Sequence, residues 1–224
     1  MSALLEFECQ VPVAGYEIIT TEAQPDGTSG FVLQPRSERN RRFDLFKVNS
    51  SAYLEFAQTP TTPDAIKDFA DRYGLLFPDS DYGTNLNQVR WGRDISMWSH
   101  FIKGMKRTVE LWTMSRMTGD FRKMLRTVRK KPAPAEISGL GVSVELRLIE
   151  DPLSGSARLC ICPDNLYDAL YSQLLLAIDG NVNLGTCVQC RKWFTLEAGR
   201  GRSDKQYCSD ACRMRAYRKR KTSG

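Results

Sequence analysis

The sequence has a single histidine, His100, and its longest clearly apolar run is the five residues Leu174 to Ile178. A membrane-spanning helix needs roughly 20 apolar residues, so no span is expected. The first residues, Met1-Ser-Ala-Leu-Leu-Glu-Phe-Glu-Cys9, carry acids where a secretory leader needs a basic stretch and then a longer apolar one. A soluble, cytoplasmic protein is the expectation. No H-E-x-x-H, nucleophile elbow or phosphate loop occurs, and His100 falls inside a helical pattern, where a lone histidine is usually packed or solvated. Asp64, Asp68 and Asp71 read as the ordinary polar face of a surface helix rather than as an acid/base set. The expectation is a protein that is not an enzyme.

What is present is an ordinary globular composition with an uneven charge. The chain has 224 residues, 42% hydrophobic and 26% charged, which sets disorder aside. Its net charge of +6 is concentrated at one end: residues 187–224 hold 11 Lys and Arg against three acids, a balance of +8, leaving −2 for residues 1–186. A tail of that sign attracts phosphates without choosing among DNA, RNA and an anionic membrane.

The periodicities predict an α+β fold, with residues 1–180 as a mixed domain of short strands and several helices and residues 181–224 as a small appended module. Tyr16–Thr20 and Phe31–Leu33 read as strands around the turn Gln24-Pro-Asp-Gly-Thr28. Leu45, Val48, Ala52 and Phe56 recur near helical spacing up to Thr59-Pro60. Thr62 as N-cap, Pro63 at the first helical position, the apolar set Ile66, Phe69, Ala70 and Tyr73, and Gly74 at the end define a short amphipathic helix. Trp91, Trp98, Met105 and Trp112, with Ile95, Ile102 and Val109 between them, mark a long helix with one apolar seam. That seam could zip two copies into a homodimer, but its Trp content and the interior Gly92 and Gly104 favour packing within one chain.

Phe121, Leu125 and Val128 continue a helical face flanked by Arg122, Lys123, Arg126, Arg129, Lys130 and Lys131, read first as a solvated surface and otherwise as a second phosphate-contacting patch beside the tail, until Pro132 and Pro134 break it. Val142–Glu150 and Ser156–Cys162 alternate as a β-hairpin around Asp151–Gly155, which puts Cys160 and Cys162 on one side, where they could ligate a metal but more simply fill the core. Leu166, Leu170, Leu174 and Ile178 form the face of a last domain helix ended by Gly180. Only residues 181–186 then separate that glycine from the first cysteine of the tail, so the module should sit close to the domain.

Four of the seven cysteines, Cys187, Cys190, Cys208 and Cys212, form C-x2-C, 17 intervening residues and C-x3-C. Two close pairs at that separation point to a metal site. A Cys-x2-Cys turn, with Gly185 just upstream, folds its backbone around an ion, and an i, i+4 pair puts both sulfurs on one helix face. A closed shell of four thiolates leaves no position for water, so the expected cofactor is structural Zn²⁺, with Trp193, Phe194 and Tyr207 as the module's small core. Ser209 and Asp210 then suit a helix start. Along that helix run Arg213, Arg215, Arg218, Lys219, Arg220 and Lys221; Arg215, Arg218 and Lys219 share a face as a phosphate comb, with Arg220 and Lys221 as the frayed end. The loop Gly199-Arg-Gly-Arg-Ser203 reads equally as a backbone contact or a solvated loop.

Residues 187–221 resemble the CGNR-type zinc finger of bacterial proteins, in which the finger follows an N-terminal ABATE-type domain and the whole acts as a stress-induced transcription regulator. Cys212-Arg-Met-Arg215 stands where that family has Cys-Gly-Asn-Arg, so Cys212 and Arg215 carry over. The upstream layout is similar too: Phe56-Ala-Gln-Thr-Pro60, Tyr73-Gly-Leu-Leu76, and Leu166–Ile178 running into the finger. The resemblance implies a treble-clef-like finger and a DNA-binding regulator. Double-stranded DNA is thus the expected partner; a zinc-stabilised protein-interaction module and an RNA binder are the rivals, and arginine-rich faces leave base readout open.

Overall fold

The structure, a computed structural model, describes residues 4–20, 30–77, 93–118, 144–150, 157–196 and 205–222. Five strands open the chain: β1 (Leu4–Leu5), β2 (Glu8–Pro12), β3 (Tyr16–Thr20), β4 (Phe31–Pro35) and β5 (Asn40–Asp44). β3 and β4 pair antiparallel, and β2 and β5 pair antiparallel around them, so the two hairpins are nested. The expected turn at Gln24–Thr28 lies outside the described residues.

Among the described residues four helices follow: α1 (Leu45–Val48), α2 (Ala52–Ala57), α3 (Pro63–Tyr73) and α4 (Ile95–Thr118). The single helical stretch expected over Asp44–Ala57 is in fact two short helices, broken at Asn49. Asn49 takes an extended conformation, and its side chain donates to Glu55 Oε1 and Tyr73 Oη, both at 2.8 Å, and accepts from Ser51 N–H at 2.9 Å. A short amide side chain that bonds neighbouring groups competes with the helix ladder and ends it. Val48, read as part of the apolar face, is left 64% exposed.

β6 (Val144–Glu150) and β7 (Ala157–Pro163) form the expected hairpin, whose turn lies outside the described residues, and β1 joins β7 in parallel to give the order β1-β7-β6. α5 (Leu166–Asp179) comes next, capped by the Asn165 side chain, which accepts from Asp168 N–H at 2.9 Å. It ends before Gly180 as expected, yet Gly180 has φ −70°, and Asn181, at φ +50°, makes the left-handed step. Asparagine tolerates that region better than other side chains do.

The core forms where α2, α3, α4 and α5 meet. Phe56 and Phe69 pack with tilted rings at 5.2 Å between centroids, each lies 6.2 Å from Trp98, and Phe56 also meets the Tyr167 ring edge-on at 6.5 Å. Ile95, Trp98, Ile102, Met105, Val109 and Trp112 are all buried in this cluster, so the seam of the long helix is filled by the chain's own residues rather than by a second copy. Trp91, Gly92 and the basic stretch Phe121–Lys131 lie outside the described residues. The fold is α+β, and among the described residues no helix is long and apolar enough to cross a membrane.

Gly74 ends α3 at φ +98° and ψ −173°, a region glycine alone occupies readily, and an added Cβ would stand 2.8 Å from the backbone oxygen of Gln10. Gly74→Ala is therefore expected to destabilise the domain by about 2 kcal/mol or more, read as a lower urea midpoint with an unchanged slope.

Candidate metal centre

The tail begins with β8 (Asn183–Thr186) and β9 (Trp193–Leu196), paired antiparallel, and ends with α6 (Asp210–Thr222). Cys187 and Cys190 form the turn of this hairpin. Cys187 N–H donates to Lys192 O at 2.9 Å, Arg191 N–H donates to Cys187 O at 2.8 Å, and Arg191 takes φ +61° to close the turn. The knuckle is tied to the second cysteine pair by Val188 N–H, which donates to Gln206 O at 3.0 Å. Ser209 caps α6: its Oγ accepts from Cys212 N–H at 3.3 Å, which fixes Cys212 in the first turn, one helical turn beyond Cys208.

These two pieces of backbone bring the four predicted sulfurs together. Cys190 and Cys208 Sγ lie 3.6 Å apart, Cys208 and Cys212 Sγ also 3.6 Å, and all four lie within 4.8 Å of one another. A metal–sulfur bond of about 2.3 Å in a tetrahedron requires sulfurs about 3.8 Å apart, so the cluster is the right size to hold one ion. Cys187 and Cys212 are buried, Cys190 and Cys208 half-buried.

Without an ion the thiols are unequal. Burial opposes ionisation of Cys187, but the backbone N–H groups of Cys190, Cys208 and Gln189 outweigh it and bring the thiol down to about 6. Cys208 goes the other way: burial, then hydrogen bonds with Cys190, Cys212 and Cys187, push it up to about 12. Four thiolates gathered so closely need a cation among them.

The module's own core is smaller than its aromatic content promised. Phe194 is buried with Cys187 and Cys212, and Leu196 and Tyr207 pack alongside. Gly185 makes room for that ring, since a Cβ there would lie 2.8 Å from Phe194 Cζ. Trp193, expected in the same core, packs instead against the core of the main domain, because strand alternation turns it to the opposite face from Phe194.

That opposite face is how the module is held. Gln58 at the end of α2 accepts from Trp193 N–H at 2.5 Å and donates back to Trp193 O at 3.3 Å, like one more strand residue. Arg116, near the end of α4, donates to Val182 O and to Asn183 Oδ1. Sequence reasoning passed over Gln58, Arg116 and the left-handed Arg191, since a long polar side chain aimed at a distant backbone leaves no local pattern. The module does sit directly on the domain.

α6 carries the basic side chains outward. Arg213, Arg215, Arg218, Lys219, Arg220 and Lys221 are all exposed, and the ion pair of Arg213 with Asp210 at 3.1 Å is itself exposed and worth little. Arg220 and Lys221 are not a frayed end; they lie inside the helix, which continues to Thr222. At 3.6 residues per turn, Arg215, Arg218 and Lys219 cover one side and Arg213, Arg220 and Lys221 the other. Cations therefore surround the helix, with Lys219 following Cys212 and Ala216 along their stripe at i, i+4 and i+7, and no separate comb is set apart. The loop Gly199–Ser203 lies outside the described residues.

A knuckle in a β-hairpin, followed by Cys208 and by a helix whose first turn carries Cys212, defines a small module able to hold a metal ion, packed on an α+β domain. No family model matches the chain, and no curated protein does either.

Proposed function

We propose that the protein is a zinc-dependent DNA-binding regulator of the bacterial cytoplasm, in which the four cysteines hold structural Zn²⁺ and α6 docks on double-stranded DNA. The observation that carries this reading is the character of α6. Among its described side chains only Cys212 is buried, at 6% exposure, while its six cationic side chains stand in solvent. A helix with no apolar stripe gains almost nothing from packing, so its order comes from the metal anchor at its first turn, and its surface is suited to a polyanion.

Zinc fits the donors because soft thiolates in a closed tetrahedron select Zn²⁺ or an iron–sulfur centre, and a cluster this compact suits one ion. The cations would first neutralise phosphates, and arginine forks could then meet guanine edges. The resemblance to the CGNR-type finger, through Cys212 and Arg215, supports the same reading and gives residues 1–180 the part of a sensing or interaction domain. RNA is the second reading, favoured by one feature: Tyr217 stands 55% exposed among the arginines, where a ring could stack on an unpaired base.

Titration of the purified chain against mixed-sequence duplex DNA and structured RNA at several salt concentrations tests this. With about four to six phosphates neutralised, log K on DNA should fall against log salt with a slope near −4 to −5. Tighter, salt-dependent binding to RNA would move the assignment to that partner. Absence of salt-dependent binding to either would leave a protein-interaction module.

A further inference from the structure

We propose that Cys160 and Cys162 form a reversible dithiol site, a second cysteine centre separate from the metal cluster, that reacts with low-molecular-weight disulfides to give an intramolecular disulfide. Both residues lie on β7, the middle strand of β1-β7-β6, at i and i+2, so the pleat points both side chains to one face. Their sulfurs already meet at 3.4 Å. Cys160 is 0% exposed and lies outside the main core cluster, whereas Cys162 is only half-buried, so the pair joins a sheltered thiol to a reachable one. Simple core filling would have hidden both. Cys9, the remaining thiol outside the metal cluster, is 1% exposed within the main core.

This arrangement sets the order of events. Burial, then hydrogen bonding with Cys162, pushes the Cys160 thiol up to about 12, which leaves the first attack to Cys162. The Cys162 sulfur attacks one sulfur of the small disulfide, whose S–S bond breaks, and the first small thiol departs with the Cys162 proton. Cys160, already in contact, then attacks the Cys162 sulfur, the mixed disulfide breaks, and the second small thiol leaves with the Cys160 proton. Two protein thiols are oxidised to one disulfide and one small disulfide is reduced to two thiols, so protons and electrons balance.

The bond so formed is built to be undone. Residues two apart on a strand have Cα atoms about 6.6 Å apart, at the long end of what a disulfide spans. Closing it pulls Cys160 against its register partners Leu4 and Arg147, and Cys162 against Glu145. Strain of that kind makes a disulfide easy to reduce, which separates a responsive site from a structural staple.

The test uses the full chain as purified with its metal, exposed to oxidised glutathione, with free thiols then alkylated and peptides mapped by mass spectrometry. The peptide holding Cys160 and Cys162 should lose two hydrogens, regain them with dithiothreitol, and do so without metal release. In Cys160→Ser the glutathione adduct on Cys162 should persist, reaching at least about tenfold the wild-type level at equal times. Cys162→Ser should leave Cys160 unmodified. The proposal is overturned if both thiols of the wild-type chain remain open to alkylation under conditions that oxidise other cysteines, if a wild-type adduct accumulates unresolved, or if Cys160 takes up glutathione as readily as Cys162. Should a serine variant misfold, the wild-type map alone decides between disulfide and free thiols.

Discussion

Removing the metal, by chelation or by Cys208→Ser, is expected to abolish α6 as an ordered helix while leaving the main domain folded. Among the described residues of the module, Phe194 is the one buried side chain that is not a ligand, with Leu196 and Tyr207 beside it, far too little to order residues 205–222 unaided. Structural zinc in such modules contributes about 10 kcal/mol or more of apparent folding energy, an amount nothing else in the tail could replace. The damage should stop at β8 and β9, because Gln58 and Arg116 hold Trp193, Val182 and Asn183 from the domain side. Hydrogen exchange reads this directly: protection should vanish over 205–222 and persist in α4 and α5. Retained protection in α6 after complete metal removal would sink the idea.

Acid should act in the same direction. Cys187, at about 6, is largely ionised at neutral pH before an ion arrives, whereas Cys208, at about 12, must give up its proton on loading. Metal uptake therefore releases at least one proton across the neutral range, and affinity should weaken by at least about tenfold for each unit the pH is lowered.

The α+β class and the cysteine quartet were legible in the sequence because each is a local repeating signal. Residues two apart in Tyr16–Thr20, Ile66 with Phe69 and Tyr73, and the two cysteine pairs all declare themselves by spacing. What was not legible depended on a partner far along the chain. Asn49 breaks a helix by bonding Glu55 and Tyr73, and Gln173 reaches from α5 to accept from Tyr53 N–H at 3.2 Å and donate to Asn49 O at 2.7 Å. Asp71, read as an ordinary surface carboxylate, accepts from Tyr16 N–H at 2.7 Å and pairs with Lys67 at 2.5 Å, so it pins the β3–β4 hairpin to α3. In the tail, strand alternation is readable but the side that faces the domain is not, so the sequence alone points Trp193 to the module's core whereas it packs in the domain's.

The substitution pair Arg215→Ala with Arg218→Ala is expected to keep the metal and the fold of α6 while weakening duplex DNA binding roughly 10- to 100-fold, with the salt slope falling by about 2. The helix should survive because alanine and arginine are both strong helix formers and neither residue lies on the Cys212–Ala216 line. Since cations surround α6, the loss tells which side meets the duplex: the matching pair Arg213→Ala with Arg220→Ala should cost less if the Arg215 side faces the phosphates, and more if the helix lies the other way. Arg215→Lys separates charge from geometry. A lysine keeps the counterion term but loses the planar fork, so an unchanged slope with relaxed sequence preference would place Arg215 at a base edge, whereas no change in either would place it on the backbone. If both alanine pairs leave binding and its salt dependence untouched, α6 is not the nucleic-acid surface, and its charge serves another partner.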